Sequence, residues 1–206
     1  KKQQEETMAH VIAIAGKGGV GKTTLSGLLI QAMCKLGKTP ILAVDADANS
    51  NLNEVLGVDV EMTLGEVREQ IERAETSSQN PIPSGISKAD YAEIMFQRCL
   101  NEDDDFDLLV MGRTQGKGCY CYVNGILQAQ MQKLLPHYQY MVVDNEAGME
   151  HISRGILPKV DTLILVSDCS RRGVQAAGRI AQLAKECNLN PSTMGLIVNR
   201  APGGKL

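Results

Sequence analysis

Short apolar runs alternate along the chain with longer stretches in which apolar residues recur at helical spacing. The runs are rich in β-branched residues and nearly continuous in apolar character, which is typical of strands covered on both faces of a parallel sheet. Six runs are predicted as strands: 10–15, 40–44, 107–111, 140–143, 161–166 and 194–198. Five segments with a helical period are predicted as helices: 22–36, 62–74, 88–100, 123–135 and 171–187. The alternation predicts an α/β fold with a single doubly wound, mostly parallel sheet flanked by helices, whose sites lie at the carboxyl ends of the strands.

Two polar stretches between these elements are predicted to be irregular. Residues 76–87 contain two prolines and a glycine and are predicted as a loop. Residues 101–105 contain four consecutive acidic residues and are predicted as a solvated turn.

Length, composition and charge exclude several classes of protein. A chain of 206 residues, 43% of them hydrophobic, fits one globular domain. A net charge of −3, with two Phe and no Trp, argues against a general affinity for nucleic acid or anionic lipid. No apolar run approaches the roughly 20 residues of a membrane span. Six cysteines without a signal peptide are expected to be reduced thiols in a cytoplasmic protein.

The segment between the first predicted strand and the first predicted helix is rich in glycine. It reads Gly16-Lys17-Gly18-Gly19-Val20-Gly21-Lys22-Thr23, followed by Thr24, and matches both G-x-x-x-x-G-K-[ST] and G-x-G-x-x-G. A dinucleotide-binding loop does not need a lysine followed by a hydroxyl. A P-loop does, because Lys22 reaches the β- and γ-phosphates and Thr23 binds Mg²⁺. Backbone N–H groups and the helix N-terminus complete a phosphate site, so residues 16–24 are predicted to bind a nucleoside triphosphate.

Lys17, directly before two glycines, is the departure from an ordinary P-loop. With it the sequence resembles the deviant Walker A family, which includes the MinD, ParA and ArsA ATPases and the nitrogenase iron protein. The resemblance implies an ATPase that forms a homodimer, in which Lys17 crosses the interface to the partner's nucleotide. A cation held there neutralises charge that develops on the transferred phosphoryl group. Lys17 and Lys22 are therefore predicted to be catalytic.

Acidic residues follow two other predicted strands. Asp45 and Asp47 come after the strand at 40–44, and Asp144 follows the strand at 140–143. The resemblance implies that Asp47 orients or activates the attacking water. Asp45 is expected either to support Mg²⁺ through water or to form a turn. Asp144 is placed as a Walker B carboxylate that binds Mg²⁺ through water, together with Thr23.

Asn199 and Arg200 follow the last predicted strand, where P-loop proteins commonly read the base. The aspartate of a guanine-specific N-K-x-D pattern is missing, because position 202 is proline. A guanine ring would lose the acceptor for its N1 and N2 groups, so ATP is predicted in preference to GTP.

Cys119 and Cys121 lie in a glycine-rich segment after the strand at 107–111. Cysteines two residues apart project to the same side of an extended chain, and a bent loop would let both thiolates bind one ion. A tetrahedral site needs four ligands, and a symmetric partner supplies the other two. Thiolates accept either Ni²⁺ or Zn²⁺, so the sequence predicts one such ion shared across a dimer, with the choice of metal left open.

The segment of Gly118, Cys119, Tyr120 and Cys121, together with Asp144-Asn-Glu-Ala-Gly-Met-Glu-His151, narrows the resemblance over residues 8–199. These residues resemble the CooC-type ATPases, the nickel-insertion factors of carbon monoxide dehydrogenase. The resemblance implies an ATP-dependent metallochaperone with that enzyme as acceptor. A MinD- or ParA-like positioning ATPase and an iron-protein-like electron donor are the alternatives. The nitrogenase iron protein has a second cluster cysteine in the region where this sequence has His151, and this difference disfavours the electron-donor alternative. His151 itself is expected to be either a metal ligand or a surface residue.

This family normally continues past the last strand. Residues 8–206 are therefore predicted to be a P-loop ATPase domain without the family's C-terminal segment, preceded by a polar tail at 1–7.

The other four cysteines give weaker indications of a functional role. Cys34, Cys99 and Cys187 are predicted as small core residues, whereas Cys169 is expected nearer the rim of the site.

Overall fold

The computed structural model describes residues 8–47, 49, 51–76, 82–113, 121–146 and 159–204. Seven strands form one sheet: β1 His10–Gly16, β2 Ile41–Ala46, β3 Leu100–Glu102, β4 Phe106–Val110, β5 Tyr140–Asn145, β6 Thr162–Asp168 and β7 Thr193–Asn199. The α-helices in the described ranges are α1 Lys22–Lys35, α2 Leu52–Leu56, α3 Leu64–Thr76, α4 Lys88–Gln97, α5 Cys121–Leu134 and α6 Arg171–Glu186. Short 3₁₀ turns lie at Leu135–His137 and Pro202–Gly204.

The strand order is β3-β4-β2-β5-β1-β6-β7, and every neighbouring pair is parallel except β3 and β4. This confirms the predicted doubly wound, mostly parallel sheet. In the register, Asp144 pairs with Ile14 on one side and with Asp45 on the other. The carboxyl ends of β1, β2 and β5 therefore meet, and the polar residues that follow them share one edge of the sheet.

Two apolar layers cover the faces of the sheet. On one face, Ile30 and Met33 of α1 pack against Ile14 and Ile41. On the other face, residues of α3, α4, α5 and α6 pack in one cluster that includes Val67, Phe96, Met131 and Ile180. This arrangement explains the nearly continuous apolar character of the central strands, because both faces of each strand are buried. Within the described residues, no helix combines the length and apolarity that a membrane crossing requires.

The structure shortens the predicted acidic turn at 101–105: residues 103–105 form an exposed turn between β3 and β4, whereas residues 101 and 102 belong to β3. Leu100–Glu102 forms a short antiparallel edge strand with β4, and α4 ends at Gln97, three residues before the predicted end. Asn101 stabilises the strand, since its Nδ2 donates to the carbonyls of Cys99 and Leu108 at 3.0 and 3.1 Å. Asn and acidic residues are depleted in strands, so this pairing depends on tertiary contacts that no local pattern reports.

Candidate nucleotide site

The loop from Gly16 to Thr23 connects β1 to α1, and its glycines are required by its geometry. Gly19 and Gly21 have φ values of 79° and 97°, in the region that favours glycine. A Cβ atom on Gly16 would lie 2.2 Å from the carbonyl oxygen of Val166, a backbone atom of β6. By contrast, nothing lies within 4 Å of a Cβ built on Gly18. The loop is thus packed against the sheet at its start and open at its centre.

The first turn of α1 leaves its backbone N–H groups available. Gly21 is the N-cap residue, and no side chain caps this helix in the described structure. Lys22 is 7% exposed, and its Nζ donates to the carbonyl of Lys17 at 3.4 Å, a long bond for which a phosphate oxygen could readily compete. Unused N–H groups, a helix N-terminus and a buried ammonium together fit a phosphate chain.

Asp144, at the end of β5, lies against the P-loop helix. It is 1% exposed, and the Oγ of Ser26 lies 3.1 Å from its Oδ1. Burial raises the pKa of Asp144 to about 6; a hydrogen bond from Thr23 opposes the rise, and the nearby Asp45 adds to it. A hydroxyl and a carboxylate at this position are the hard oxygen donors that Mg²⁺ prefers. Thr23 and Asp144 therefore fit a magnesium site.

Asp45 shapes the loop that carries Asp47. The Asp45 carboxylate is fully buried and accepts the backbone N–H groups of Asp47 at 3.0 Å and of Leu52 at 2.9 Å. Burial also raises its pKa. These contacts favour the turn-forming interpretation of Asp45. Asp47 is half-buried at the rim, and its Oδ1 accepts the N–H of Asn49 at 2.8 Å.

Asn199, at the end of β7, contacts the P-loop itself. Its Nδ2 donates to the carbonyl of Val20 at 2.9 Å, and its Oδ1 accepts the N–H of Arg200 at 2.9 Å. A Cβ atom on Gly21 would lie 2.6 Å from the same Nδ2. Both polar ends of the Asn199 side chain are thus engaged within the chain, so the residue holds the loop in place. Arg200 is exposed, with a φ of 57°.

Lys17 lies beside a basic groove that sequence patterns did not indicate. The groove has a volume of about 480 Å³ and is lined by Lys17 with Arg172, Gln175, Ala176 and Arg179 of α6. These α6 residues share one helix face by their spacing of three and four. Their position next to Lys17 depends on how α6 packs on β1 and β6, which explains why no local pattern indicated the groove.

Two further polar residues at this edge were not predicted. Ser26 lies one turn after Lys22 and Thr23 on α1, so helical periodicity could have placed it beside Thr23, one of the residues predicted to bind Mg²⁺. Asn145 is 1% exposed; its Nδ2 donates to the carbonyl of Ile14 at 3.1 Å, and its Oδ1 has no hydrogen-bond partner in the described structure. No sequence signal distinguished Asn145 from its neighbours.

The predicted thiol site lies mostly outside the described residues. Cys119 and His151 fall in undescribed segments, and Cys121 is the first residue of α5. Among the side chains that the structure describes, no group of three or more His, Cys, Asp and Glu residues could hold a metal ion. Neither Cys119 nor the side chain of Cys121 is among them, so the shared-ion hypothesis stays a prediction.

The other cysteines are described fully. Cys99 is buried, as predicted, and burial raises its pKa to about 12. The prediction for Cys187 was wrong: the residue is the C-cap of α6 and is exposed, because the helix extends past the residues Ile180 and Ala184 that pack on the sheet. Cys34 is half-buried. Cys169 is exposed next to the Arg200 carbonyl, at the edge of the site.

Comparisons with known proteins agree with this geometry. The AAA_31 family model, described as an AAA domain, matches residues 9–193. An uncharacterized ATP-binding protein of Methanocaldococcus jannaschii is 43% identical over 190 residues, covering 92% of this chain and 74% of that protein. The carbon monoxide dehydrogenase accessory protein CooC of Rhodospirillum rubrum is 32% identical over 214 residues, covering 92% and 79%.

A solved structure shows the same fold. The MinC:MinD cell division protein complex of Aquifex aeolicus matches with a TM-score of 0.65 and 24% identity, covering 94% of this chain and 69% of that one. At that identity the match supports the fold alone. The family match and the 43% identical relative go further: the chain belongs to the AAA_31 family of AAA domains, the ATP-binding P-loop proteins of the MinD and ParA type.

Proposed function

We propose that this protein is an ATP-dependent metallochaperone that hydrolyses ATP in a homodimer and inserts nickel into carbon monoxide dehydrogenase. One observation carries the proposal: β2, which ends at the Asp47 loop, pairs directly with β4, which leads into the segment of Cys119 and Cys121. The Asp47 loop, which responds to the nucleotide in this proposal, and the segment of the two thiols therefore begin at the ends of adjacent strands. The similarity to the carbon monoxide dehydrogenase accessory protein CooC supports the choice of acceptor enzyme.

In this proposal the residues of the P-loop bind and orient the nucleotide. Lys22 and the N–H groups at the start of α1 bind the β- and γ-phosphates, and Thr23 and Asp144 hold Mg²⁺, Asp144 through water. Bound Mg²⁺ offsets negative charge on the phosphates. Asp47 orients the attacking water. The oxygen of this water bonds to the γ-phosphorus as the bond from that phosphorus to the β–γ bridging oxygen breaks. The water gives up a proton to solvent, which leaves ADP and inorganic phosphate. Lys17 of the partner subunit stabilises the charge on the transferred group.

Nickel is the cargo of the protein in this proposal, and zinc is the other ion that the thiolates accept. Cys119 and Cys121 of two protomers bind the ion as thiolates, and hydrolysis relaxes the segment after Asp144, which changes the thiol site and releases the ion to the acceptor. In this proposal Asn199 supports adenine binding by holding the P-loop, and the exposed side chain of Arg200 contacts the base.

The ATPase part of the proposal is tested by Lys22→Ala. Loss of the ammonium should reduce hydrolysis to background, because the γ-phosphate loses its principal cation. Lys35→Ala is the matched control, since Lys35 lies at the exposed far end of the same helix. Phosphate release is measured for both variants. Hydrolysis by Lys22→Ala at the unaltered rate would contradict the assigned role.

The metal part is tested under anoxic conditions by size-exclusion chromatography with light scattering and by elemental analysis of the peak. After loading with Ni²⁺ or Zn²⁺, we expect one ion per dimer, and loss of the ion in Cys119→Ser/Cys121→Ser with nucleotide binding retained. Cys169→Ser/Cys187→Ser also removes two thiols, both exposed, and should keep the ion. A metal-free dimer that forms with ATP alone would refute the metallochaperone, and four iron atoms per dimer would indicate electron transfer.

A positioning ATPase of the MinD or ParA kind is the second candidate. The basic groove of Lys17, Arg172 and Arg179 favours it, since such a surface attracts acidic partners, and similarity to the MinD proteins of Thermotoga maritima and Bacillus subtilis supports it. Co-sedimentation with anionic vesicles or with DNA separates the two functions. ATP-dependent binding that is lost in Arg172→Ala/Arg179→Ala, in a protein that binds no Ni²⁺ or Zn²⁺, would favour the positioning ATPase.

A further inference from the structure

Hydrogen bonds join the carboxyl end of β2 and the loop that follows it to the segment that follows β4, at two points. The backbone N–H of Met111 donates to the carbonyl of Asp45 at 2.8 Å. Farther from the sheet, Nη2 of Arg113 donates to Oδ1 of Asn49 at 2.6 Å, and the N–H of Asn49 donates to Oδ1 of Asp47 at 2.8 Å. A continuous series of hydrogen bonds therefore runs from Asp47 through Asn49 to Arg113.

The backbone at Arg113 is held tightly against the start of α3. A Cβ atom on Gly65 would lie 2.3 Å from the carbonyl oxygen of Arg113, and the N–H of Gly65 donates to the carbonyl of Met111 at 2.9 Å. Gly112 has a φ of 66°, and its Cβ position lies 2.6 Å from Oγ1 of Thr63. The backbone of Arg113 is thus fixed relative to α3 and β4. Because its guanidinium binds Asn49, the position of Asn49 is fixed relative to the same two elements.

We propose that Arg113 is a positioning residue that couples the nucleotide site to the segment of Cys119 and Cys121. Its hydrogen bond holds Asn49 where the Asn49 N–H caps the carboxylate of Asp47, and it transmits movement of the Asp47 loop to the end of β4. The inference rests on the proposed function, because Asp47 is the water-orienting residue and the thiols are the cargo site. Coupling of this kind is reciprocal, so metal at the thiols also changes nucleotide affinity.

An arginine suits this role better than a lysine. The side chain of Arg113 is exposed, and its planar guanidinium presents several donors in fixed directions, whereas an ammonium is a flexible point charge. Arg113→Lys should therefore keep the charge but lose the fixed geometry, and should behave like Arg113→Ala in the tests below.

The matched control is Arg98→Ala. Arg98 is also exposed, and its Nη2 donates at 2.6 Å to Oε1 of Glu61, away from both loops. The experiment compares Arg113→Ala, Asn49→Leu, the double variant and Arg98→Ala. It measures kcat and KM for ATP, and the Zn²⁺ dissociation constant with a non-hydrolysable ATP analogue and with ADP. Circular dichroism checks that each variant is folded.

For Arg113→Ala we expect kcat to fall about tenfold with KM changed less than about twofold, because orientation of the water is lost while phosphate binding is kept. The ratio of the two Zn²⁺ dissociation constants should fall towards 1. Asn49→Leu should have the same effects. The double variant should be no more impaired than either single variant, because the two substitutions remove the same hydrogen bond.

Wild-type kcat and an unchanged Zn²⁺ ratio in Arg113→Ala, as in Arg98→Ala, would overturn the inference. Additive losses in the double variant would also overturn it, because they would mean that the two side chains act separately. A wild-type protein that binds no Zn²⁺ in either nucleotide state would instead refute the metallochaperone proposal and the coupling with it. The kcat comparison would then still decide whether Arg113 positions Asp47.

Discussion

Replacing Ser26 by alanine tests how the buried carboxylate of Asp144 is stabilised. The Oγ of Ser26 lies 3.1 Å from Oδ1 of Asp144 and 3.0 Å from the carbonyl of Lys22, one turn earlier in α1. The hydroxyl has one proton and can donate it to one of these acceptors at a time. A bond to a charged acceptor is the stronger of the two, so we expect the proton to point at Asp144.

The expected magnitude follows from the charge of the acceptor. A hydrogen bond to a charged group contributes about 1.5–3 kcal/mol, and one to a neutral group about 0.5–1.5 kcal/mol. We therefore expect Ser26→Ala to lower the free energy of unfolding by about 2 kcal/mol near pH 8. Ser167 is the matched control: it is also fully buried at this edge, and its Oγ donates to the neutral carbonyl of Asp168 at 2.7 Å. Ser167→Ala should cost about 1 kcal/mol.

The pH dependence adds an independent signature. The pKa of Asp144 is raised to about 6, so its carboxylate is ionised in the native state above that pH and becomes protonated below it. A donor that stabilises the ionised form contributes above this pKa, and the contribution is lost as the pH falls through it. The cost of Ser26→Ala should thus decrease towards that of Ser167→Ala near pH 5.

Urea unfolding of the nucleotide-free protein, followed by circular dichroism at both pH values, measures these differences. Equal costs for the two variants at pH 8, without a pH dependence, would refute the reasoning. That result would mean that Ser26 donates to the carbonyl of Lys22, a local bond common for serine in helices. A rise in the Mg²⁺ concentration needed for half-maximal hydrolysis by Ser26→Ala would link the same contact to function.

Two further predictions follow from packing and burial. Gly16→Ala should destabilise the fold by about 2 kcal/mol or more, because its Cβ would meet the backbone carbonyl of Val166. Gly18→Ala should fold with wild-type stability, since the position of its Cβ is open. Thermal melting measures both variants, and equal melting temperatures would contradict the predicted contact. A thiol reagent at neutral pH should label the exposed Cys187 within minutes and Cys99 only after unfolding, because Cys99 is buried and its pKa is raised to about 12. Mass spectrometry identifies the labelled residues, and rapid labelling of Cys99 in the folded protein would show that the region around α4 opens locally.

The sheet and the P-loop could be predicted because their signals are local. Parallel strands that are buried on both faces are apolar over their whole length, which made β1, β2, β4, β5 and β6 recognisable. The edge strand β7 was recognised from the same apolar pattern, but most of it is exposed, so the expectation that both of its faces are covered was wrong. The strand that was missed, β3, is a polar edge strand of three residues. Helix α2 was missed because five residues, Leu52–Leu56, are too few to establish a helical period. Cys187 was misplaced because the period of α6 continues past the end of the sheet that buries it.

Sequence alone determined the phosphate-binding chemistry of this protein, since the glycines, Lys22 and Thr23 act within one short segment whose backbone conformation they specify. The position of Asp144 at the site could also be predicted, because a carboxylate directly after a buried strand lies at the edge of the sheet where parallel strands form their sites. Contacts between distant segments were decided only in the tertiary structure. Asn199 reaches Val20, and Arg113 reaches Asn49, because the order and register of the strands bring their ends together. Strand order and register are set by the packing of the whole sheet and its helices, and no short stretch of sequence encodes them.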